Sequence, residues 1–150
     1  MKHPAQVLLA LVLVFSAAAA LAAEPGWSSF DQGLREGKRS GKYILINFYV
    51  DQCRWCQKMF RETYTDSDVA EYLNRNFVPI LVHGYREREI ADRFEVVGYP
   101  TVWFVDPDWE KVAYLPGYAS PADFLATLKF INTRAYEEMT FQEFLEREED

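Results

Sequence analysis

Both cysteines of the chain lie in one motif, Cys53-Arg54-Trp55-Cys56, at the end of an apolar run that covers residues 43–50. The run is nearly continuous in apolar side chains, which predicts a strand buried on both of its faces. A helix is expected to begin at Arg54, so both thiols fall at its first turn. The fold must therefore be one in which a buried strand delivers a close cysteine pair to the start of a helix.

Two thiols at this spacing can close into a small disulfide ring and reopen, which predicts a redox centre. Cys53, at the helix entry, is the expected nucleophile, because helix N–H groups and the nearby Arg54 favour its thiolate, which is the attacking species. Cys56, one turn further on, is the expected resolving thiol. The alternative is a permanent structural disulfide, but so short a loop restricts the unfolded chain little.

Cysteine pairs at this spacing also begin zinc and haem motifs. A zinc site needs four ligands, and the chain has no second cysteine pair. His83 follows a strand predicted for residues 77–82, where a solvent-exposed strand-end histidine is the favoured interpretation over a ligand. Haem attachment needs a histidine after the second cysteine, and Gln57 stands there. We therefore expect neither a metal nor a bound cofactor.

Residues 1–22 have the pattern of a signal peptide. Lys2 supplies the positive charge, residues 7–15 are strongly apolar, and Ala20-Leu21-Ala22 fits the cleavage pattern. An uncleaved membrane anchor is the alternative, because no charged residue lies between Pro4 and Ala23. Cleavage and a periplasmic or secreted protein are the favoured interpretation, and in that compartment a disulfide can persist.

The remaining chain is acidic. Without Lys2 it has 15 basic against 23 acidic residues, a formal charge of −8. Nucleic acid is therefore not an expected partner, since binding it normally requires a basic patch. We interpret the charge as a solubility feature of a monomer. Residues 23–134 are predicted to form one domain, followed by an acidic amphipathic helix or tail over residues 135–150, in which Phe141, Phe144 and Leu145 either pack back or dock a partner.

Alternating helix and strand signals predict an α/β fold with a central mixed sheet and helices on both faces. Gly33 and Gly37 weaken the prediction of the first helix, which begins at Ser28 or Ser29. Thr140 is expected to cap the helix of the acidic tail. The predicted elements are a helix from Ser28 or Ser29 to residue 39, a strand at 42–50, a helix at 54–63, a helix at 68–74 capped by Ser67, a strand at 77–82, a helix at 87–94, a hairpin of strands at 101–105 and 111–115, and a helix at 121–132.

Three features together give a family resemblance: Cys53-x-x-Cys56 after a buried strand, Gly98-Tyr99-Pro100-Thr101 at the start of a later strand, and Gly117 after the hairpin. With them the chain resembles the thioredoxin superfamily. More narrowly, it looks like exported thioredoxin-related proteins with a C-x-W-C active site, and it is similar to the C-terminal domain of the envelope's transmembrane disulfide reductase.

The resemblance implies a thiol–disulfide oxidoreductase, a reductase or isomerase-like exchanger, that acts on proteins bearing disulfides and is re-reduced by a membrane donor such as a transmembrane disulfide reductase. It implies that Pro100 is cis and lies against the dithiol, where Tyr99 offers backbone groups to a substrate peptide. Arg54 and Trp55 are the further candidate substrate-binding residues. Trp55 is expected to form an exposed docking surface, with core packing as the alternative.

Departures from the family pattern occur at three positions. Gln52 stands where thioredoxins commonly have tryptophan, and Asn47 stands where they bury an aspartate. The lysine that often accompanies that aspartate aligns with about Leu81. The usual proton acceptor for the second thiol is therefore missing, and water or another group would have to replace it.

Two other functions stay open. One is a thioredoxin-fold binding module, such as a copper-delivery protein, which would bind copper tightly and reduce no disulfide. The other is a net disulfide oxidant, favoured if the dithiol is strongly stabilised as thiolate. The 43 residues between Cys56 and Pro100 leave no room for the inserted helical domain of the dedicated periplasmic oxidants.

Overall fold

The structure is a computed structural model that describes residues 24–149, so the predicted signal peptide lies outside the described residues. Helices and strands alternate along the described chain, as the sequence predicts. Their order is α1 (Phe30–Ser40), β1 (Tyr43–Tyr49), α2 (Arg54–Glu62), α3 (Ser67–Asn76), β2 (Phe77–His83), α4 (Arg88–Arg93), β3 (Thr101–Val105), β4 (Lys111–Pro116), α5 (Pro121–Asn132), a 3-10 turn (Ala135–Glu137) and α6 (Phe141–Glu149).

The four strands form one mixed sheet in the order β2-β1-β3-β4. β1 runs parallel to β2, with Tyr43 beside Phe77 and Tyr49 beside His83. It runs antiparallel to β3, which in turn forms the predicted antiparallel hairpin with β4. The helices α2 and α3 supply the crossover that a parallel pair requires. The predicted α/β class and mixed sheet are confirmed.

β1 is the central strand and is buried on both faces, as its apolar run predicts. Ile44, Ile46 and Phe48 point into one core, whereas Leu45 points into the other, and all four side chains are fully buried. Side chains alternate between the faces of a strand. Because both faces are covered, the register and direction of β1 are fixed. The end of β1 therefore fixes where the segment leading to Cys53 begins.

Each face of the sheet is covered by its own helical layer. On one face, α1 and α4 contribute Phe30, Leu34, Ala91 and the adjacent Phe94 to the core. On the other face, α2, α3 and α5 contribute the buried side chains Met59, Val69, Leu73, Phe124 and Leu128. No helix within residues 24–149 combines the length and apolar character that crossing a membrane requires.

The two glycines that weakened the prediction of α1 lie on the buried side of that helix. A Cβ atom at Gly33 would lie 2.2 Å from Cγ1 of Ile80, and one at Gly37 would lie 2.5 Å from Cδ1 of Ile44. Both isoleucines are fully buried. The missing side chains therefore let α1 approach the sheet closely, and this packing offsets the low helix propensity of glycine.

One predicted cap is wrong. Ser67 is the first residue of α3, and the cap is Asp66, whose carboxylate accepts hydrogen bonds from the N–H groups of Asp68 and Val69, both at 3.1 Å. Aspartate and serine are both good caps, and the sequence offers them side by side. The cap expected at Thr140 is in place, since its hydroxyl accepts from the Glu143 N–H, and Ser120 caps α5 in the same way by accepting from the Asp123 N–H.

The acidic tail packs back on the domain. Phe144 is buried, and the rings of Phe141 and Phe144 each lie 5.3 Å from that of Phe130 in α5. Thr140 and Glu143 cap α6 reciprocally, and the Thr140 N–H donates to Glu143 at 2.7 Å, which lowers the pKa of that carboxyl. Of the two arrangements predicted for the tail, packing against its own domain is therefore the one found in the structure.

We expect Gly33→Ala to destabilise the protein, although alanine normally favours a helix by about 0.5–1 kcal/mol. The new methyl group would meet Ile80, which has no room to move, and overpacking of this kind costs about 1–3 kcal/mol. Urea unfolding followed by circular dichroism measures the change. Gly26→Ala is the matched control, because a Cβ there meets only Asn74 Oδ1 at 3.7 Å. A rise in the unfolding midpoint for Gly33→Ala would contradict this account of the packing.

Candidate active site

The cysteine pair lies at the connection between the end of β1 and the first turn of α2. Cys53 is the N-cap residue of α2, and its Sγ accepts a hydrogen bond from the N–H of Cys56 at 3.0 Å. The two sulfurs are joined as a disulfide. Cys53 is half-buried and Cys56 is buried, so Cys53 is the more accessible sulfur. An anion on Cys53 would face the N–H groups at the helix start, which favour negative charge.

The loop before β3 lies against this pair. The Tyr99–Pro100 peptide bond is cis, the geometry that the resemblance implies. The carbonyl oxygen of Tyr99 is 3.4 Å from Cys53 Sγ. Two hydrogen bonds of 2.8 Å hold the loop, one from the Thr101 hydroxyl to the Gly98 carbonyl and one from the Gly117 N–H to the Pro100 carbonyl. The structure thus brings Tyr99 and Pro100 to the cysteines.

The side chain of Tyr99 points away from the cysteines toward the end of β2. It lies directly over Gly84, where a Cβ would be 2.1 Å from the Tyr99 hydroxyl oxygen. Its ring also meets that of Tyr85 edge-on at 5.8 Å. Burial raises the pKa of the Tyr99 hydroxyl. Tyr99 therefore presents its backbone, and not its phenol, to the site.

Arg54 and Trp55 form the exposed rim on the other side of Cys53. Trp55 is 47% exposed, so the predicted exposure is present and the alternative of core packing is not. Its ring lies 5.8 Å from that of Tyr118, and the cationic ends of Arg54 and Lys58 lie 5.3 Å and 5.5 Å from its centre. The result is an aromatic platform flanked by positive charge.

Two of the three positions that depart from the family pattern are neighbours in the sheet. Asn47 of β1 lies beside Leu81 of β2. Asn47 is buried, and its Oδ1 has no hydrogen-bond partner among the described residues. Neither side chain carries a charge, so this pair of positions supplies no acid or base.

The prediction that His83 is solvent-exposed is wrong. His83 is the last residue of β2 and is 7% exposed. Its Nδ1 accepts from the N–H groups of Tyr85 and Arg86, both at 3.3 Å, which leaves the proton of the neutral ring on Nε2. Nε2 lies 3.2 Å from Oδ2 of Asp51, although not along a good hydrogen-bond direction. The chain folds back after β2 and covers the ring.

Asp51 connects this histidine to the cysteines, two residues before Cys53. Its carboxylate also contacts the guanidinium of Arg86, and its carbonyl oxygen accepts from the side chain of Gln57 in α2 at 3.0 Å. These contacts fix the turn that precedes Cys53. Sequence reasoning missed Asp51, although both parallel strands end at this edge of the sheet and the pairing of Tyr49 with His83 brings their following residues together.

The described residues hold no group of three or more histidine, cysteine, aspartate or glutamate side chains arranged to bind a metal ion. The fold and the site define a thioredoxin-fold protein with a cysteine pair of the redox type. Comparison with known proteins extends this assignment. A sequence model of the thioredoxin-like domain matches residues 30–132, and the chain belongs to that family.

Two curated relatives and one solved structure illustrate the similarity. The chain is 35% identical over 79 residues to a protein disulfide-isomerase of Hordeum vulgare, a match that covers 53% of this chain and 15% of that protein. It is 27% identical over 106 residues to the thiol:disulfide interchange protein DsbD of Ralstonia nicotianae, covering 68% of this chain and 17% of that protein. The chain thus spans less than a fifth of the length of these two relatives.

A thioredoxin from Thermus thermophilus superposes with a TM-score of 0.67 at 28% identity, covering 73% of this chain and 87% of that one. The thioredoxin-like resemblance drawn from the motifs is therefore confirmed.

We expect His83→Phe to destabilise the protein by about 1–3 kcal/mol, because it leaves two backbone N–H groups without their acceptor and removes one of the two side chains that contact the Asp51 carboxylate. Arg86→Gln is the matched control. It removes an exposed ion pair with the same carboxylate, which is worth about 0–1 kcal/mol. Urea unfolding at neutral pH compares the two. Equal small effects would show that His83 does not support the turn before Cys53.

Proposed function

We propose that this protein is an exported thiol–disulfide oxidoreductase that reduces or rearranges disulfides in other proteins. The observation that carries the proposal is the position of Cys53 Sγ. It lies 3.0 Å from the N–H of Cys56 at a helix start and 3.4 Å from the carbonyl oxygen of Tyr99. One neighbour favours the thiolate, and the other belongs to a backbone that an extended peptide can reach.

In the first step, the Cys53 thiolate attacks one sulfur of a substrate disulfide. A mixed disulfide forms between Cys53 and that sulfur, and the other substrate sulfur leaves as a thiolate that takes a proton from water. In the second step, the Cys56 thiolate attacks Cys53 Sγ. The mixed disulfide breaks, the Cys53–Cys56 disulfide forms, and the substrate sulfur leaves as a thiolate that takes a proton from water, so two electrons have passed to the substrate.

The burial of Cys56 supports its place in the second step. A buried thiol is shielded from disulfides in solution, yet it lies within the same helix turn as Cys53 and can attack that sulfur within the molecule. The uncharged Asn47 and Leu81 imply that water or a substrate group removes the Cys56 proton. The second step is therefore the slower one in this account.

The donor that re-reduces the pair is proposed to be a membrane disulfide reductase, and the leader over residues 1–22 is proposed to place the protein outside the cytosol. The similarity to the thiol:disulfide interchange protein DsbD of Ralstonia nicotianae supports exchange with a disulfide-bearing partner. The signal-peptide pattern of residues 1–22 supports export. Arg54 and Trp55 are proposed to bind substrate beside Cys53, since they form the exposed rim of the site.

Replacing each cysteine separately tests the mechanism. Cys53→Ser should abolish insulin reduction, because the attacking sulfur is gone. Cys56→Ser should also lose turnover but accumulate a mixed disulfide on Cys53, visible by non-reducing electrophoresis and mass spectrometry. The reverse pattern, with adducts on Cys56 in Cys53→Ser, would overturn the assigned order. Tight copper binding without any disulfide reduction in the native protein would favour the metal-delivery alternative.

The reduction potential tests the direction of electron flow. For a reductase we expect the Cys53–Cys56 pair to equilibrate below about −200 mV, nearer to thioredoxin than to the strong oxidant DsbA at about −120 mV. Equilibration against glutathione and dithiothreitol buffers, with thiol trapping and mass spectrometry, gives the value. A potential near that of DsbA would make the protein a net oxidant. The protein would then still exchange disulfides, but electrons would pass from the substrate to this protein.

A further inference from the structure

Residues 83–87 form a turn, the 83–87 turn, that contacts both the segment before the cysteines and the loop that faces them. The Glu87 N–H donates to the His83 carbonyl at 2.9 Å, and the Glu87 carboxylate accepts from the His83 N–H at 2.8 Å. The N–H groups of Tyr85 and Arg86 both donate to Nδ1 of the His83 ring. The imidazole is therefore the acceptor around which the turn closes.

One side of the 83–87 turn holds the segment that leads to Cys53. The Asp51 carboxylate contacts the Arg86 guanidinium and lies 3.2 Å from Nε2 of His83. Asp51 precedes Cys53 by two residues, a length of chain that spans at most about 7 Å. The Cys53 N–H also donates to the Val50 carbonyl at 3.2 Å, which closes this short segment. Displacing Asp51 therefore displaces Cys53.

The other side of the 83–87 turn supports Tyr99. The Tyr99 ring lies over Gly84, where a Cβ would be 2.1 Å from the phenol oxygen, and it meets the Tyr85 ring at 5.8 Å. The carbonyl oxygen of the same tyrosine lies 3.4 Å from Cys53 Sγ. The 83–87 turn thus supports both partners of this contact, the carbonyl on one side and the sulfur on the other.

His83 cannot gain a proton without disturbing this turn. The side chain is 7% exposed, and a protonated imidazole donates from both nitrogens and accepts no hydrogen bond. Because the neutral ring has its proton on Nε2, the second proton would go to Nδ1, where it would face the N–H groups of Tyr85 and Arg86. Histidine is the side chain that ordinarily changes charge between about pH 5 and 8. The closed turn therefore requires the neutral ring.

Charged and titratable groups face the imidazole of the 83–87 turn from each element packed against it. Asp51 lies on the segment after β1 and Glu87 at the start of α4, and the negative charge of a carboxylate favours a protonated ring. Arg86 carries the opposite charge. The other titratable neighbours are Tyr49 of β1, whose ring lies 5.1 Å away, and Tyr85, whose ring lies 6.3 Å away. Two carboxylates and one guanidinium thus set the field in which the ring gains its proton.

We propose that His83 is a positioning residue for Cys53 and acts through the 83–87 turn. Neutral His83 keeps the turn closed and so holds the Tyr99 carbonyl beside the sulfur, whereas protonation opens the turn and releases both. The inference rests on the proposed function and names a regulation of that site. Exchange with peptide disulfides weakens as the pH falls through the titration of His83, in addition to the loss of thiolate that acid causes in any thiol.

A ratio of two rates separates this effect from the thiolate fraction of Cys53. One substrate is a short peptide without ionisable groups whose single cysteine is in a disulfide with a small thiol, and the other is hydroxyethyl disulfide. Both need the Cys53 thiolate, but only the peptide is long enough to lie along the Tyr99 backbone. Between about pH 7.5 and about pH 5.5, the peptide-to-hydroxyethyl ratio of kcat/KM should fall by about tenfold for the native protein.

Two replacements of His83 separate the hydrogen-bond acceptor from the titrating ring. His83→Asn keeps an acceptor, the side-chain carbonyl, and does not titrate, so the ratio should stay at its neutral value across the pH range. His83→Phe has no acceptor, so the ratio should be low at every pH. If His83→Phe does not fold, the native protein and His83→Asn decide the question.

Glu87→Gln is the control for a titrating carboxylate beside the ring. Its side chain can still accept from the His83 N–H, so the fall of the ratio with pH should persist. A native ratio that does not change with pH would overturn the proposal. So would a fall that survives in His83→Asn or disappears in Glu87→Gln.

Nuclear magnetic resonance separates this proposal from the proposed function, because it needs no turnover. The His83 ring signals, identified by their absence in His83→Asn, should titrate with the same midpoint as the backbone amide signals of Arg86 and Tyr99. If neither substrate is reduced, the proposed function fails and this measurement still decides the positioning role. A ring that titrates while the Tyr99 amide signal stays unchanged, or a ring that stays neutral down to about pH 5, would contradict that role.

Discussion

The double-sided burial of β1 is the constraint on which the rest of the structure depends. A strand packed into two cores cannot slide by one residue without turning Ile44, Ile46 and Phe48 to the wrong face. Its end therefore lies at a fixed place, and Cys53 and the first turn of α2 follow from that end. The neighbouring strands β2 and β3 take their registers from β1, and they bring His83 and the Pro100 loop to the same edge.

Much of this arrangement could be predicted from the sequence, because the signals are local. The apolar run of β1, the proline at the start of α5 and the Tyr99-Pro100-Thr101 strand start each indicate their own element. In α1, by contrast, two glycines argued against the helix that the structure contains. These positions are glycine because the helix backbone lies close to Ile80 and Ile44, which belong to other elements. No pattern within the helix sequence contains that information.

The site was predictable at its centre and not at its edges. Cys53, Cys56 and Pro100 belong to motifs, whereas His83 and Asp51 matter because two strands end side by side. A histidine after a strand is exposed or buried according to how the next segment folds over it.

The uncharged amide at Asn47 has a consequence for the balance between stability and speed. Burying a carboxylate without full compensation costs several kcal/mol in idealised terms, and an amide costs much less. With asparagine at this position, the core of the oxidised protein holds no buried acid there whose ionisation opposes folding. The chain keeps that stability and has no carboxylate at this position that could serve as a base for Cys56, the proposed resolving thiol.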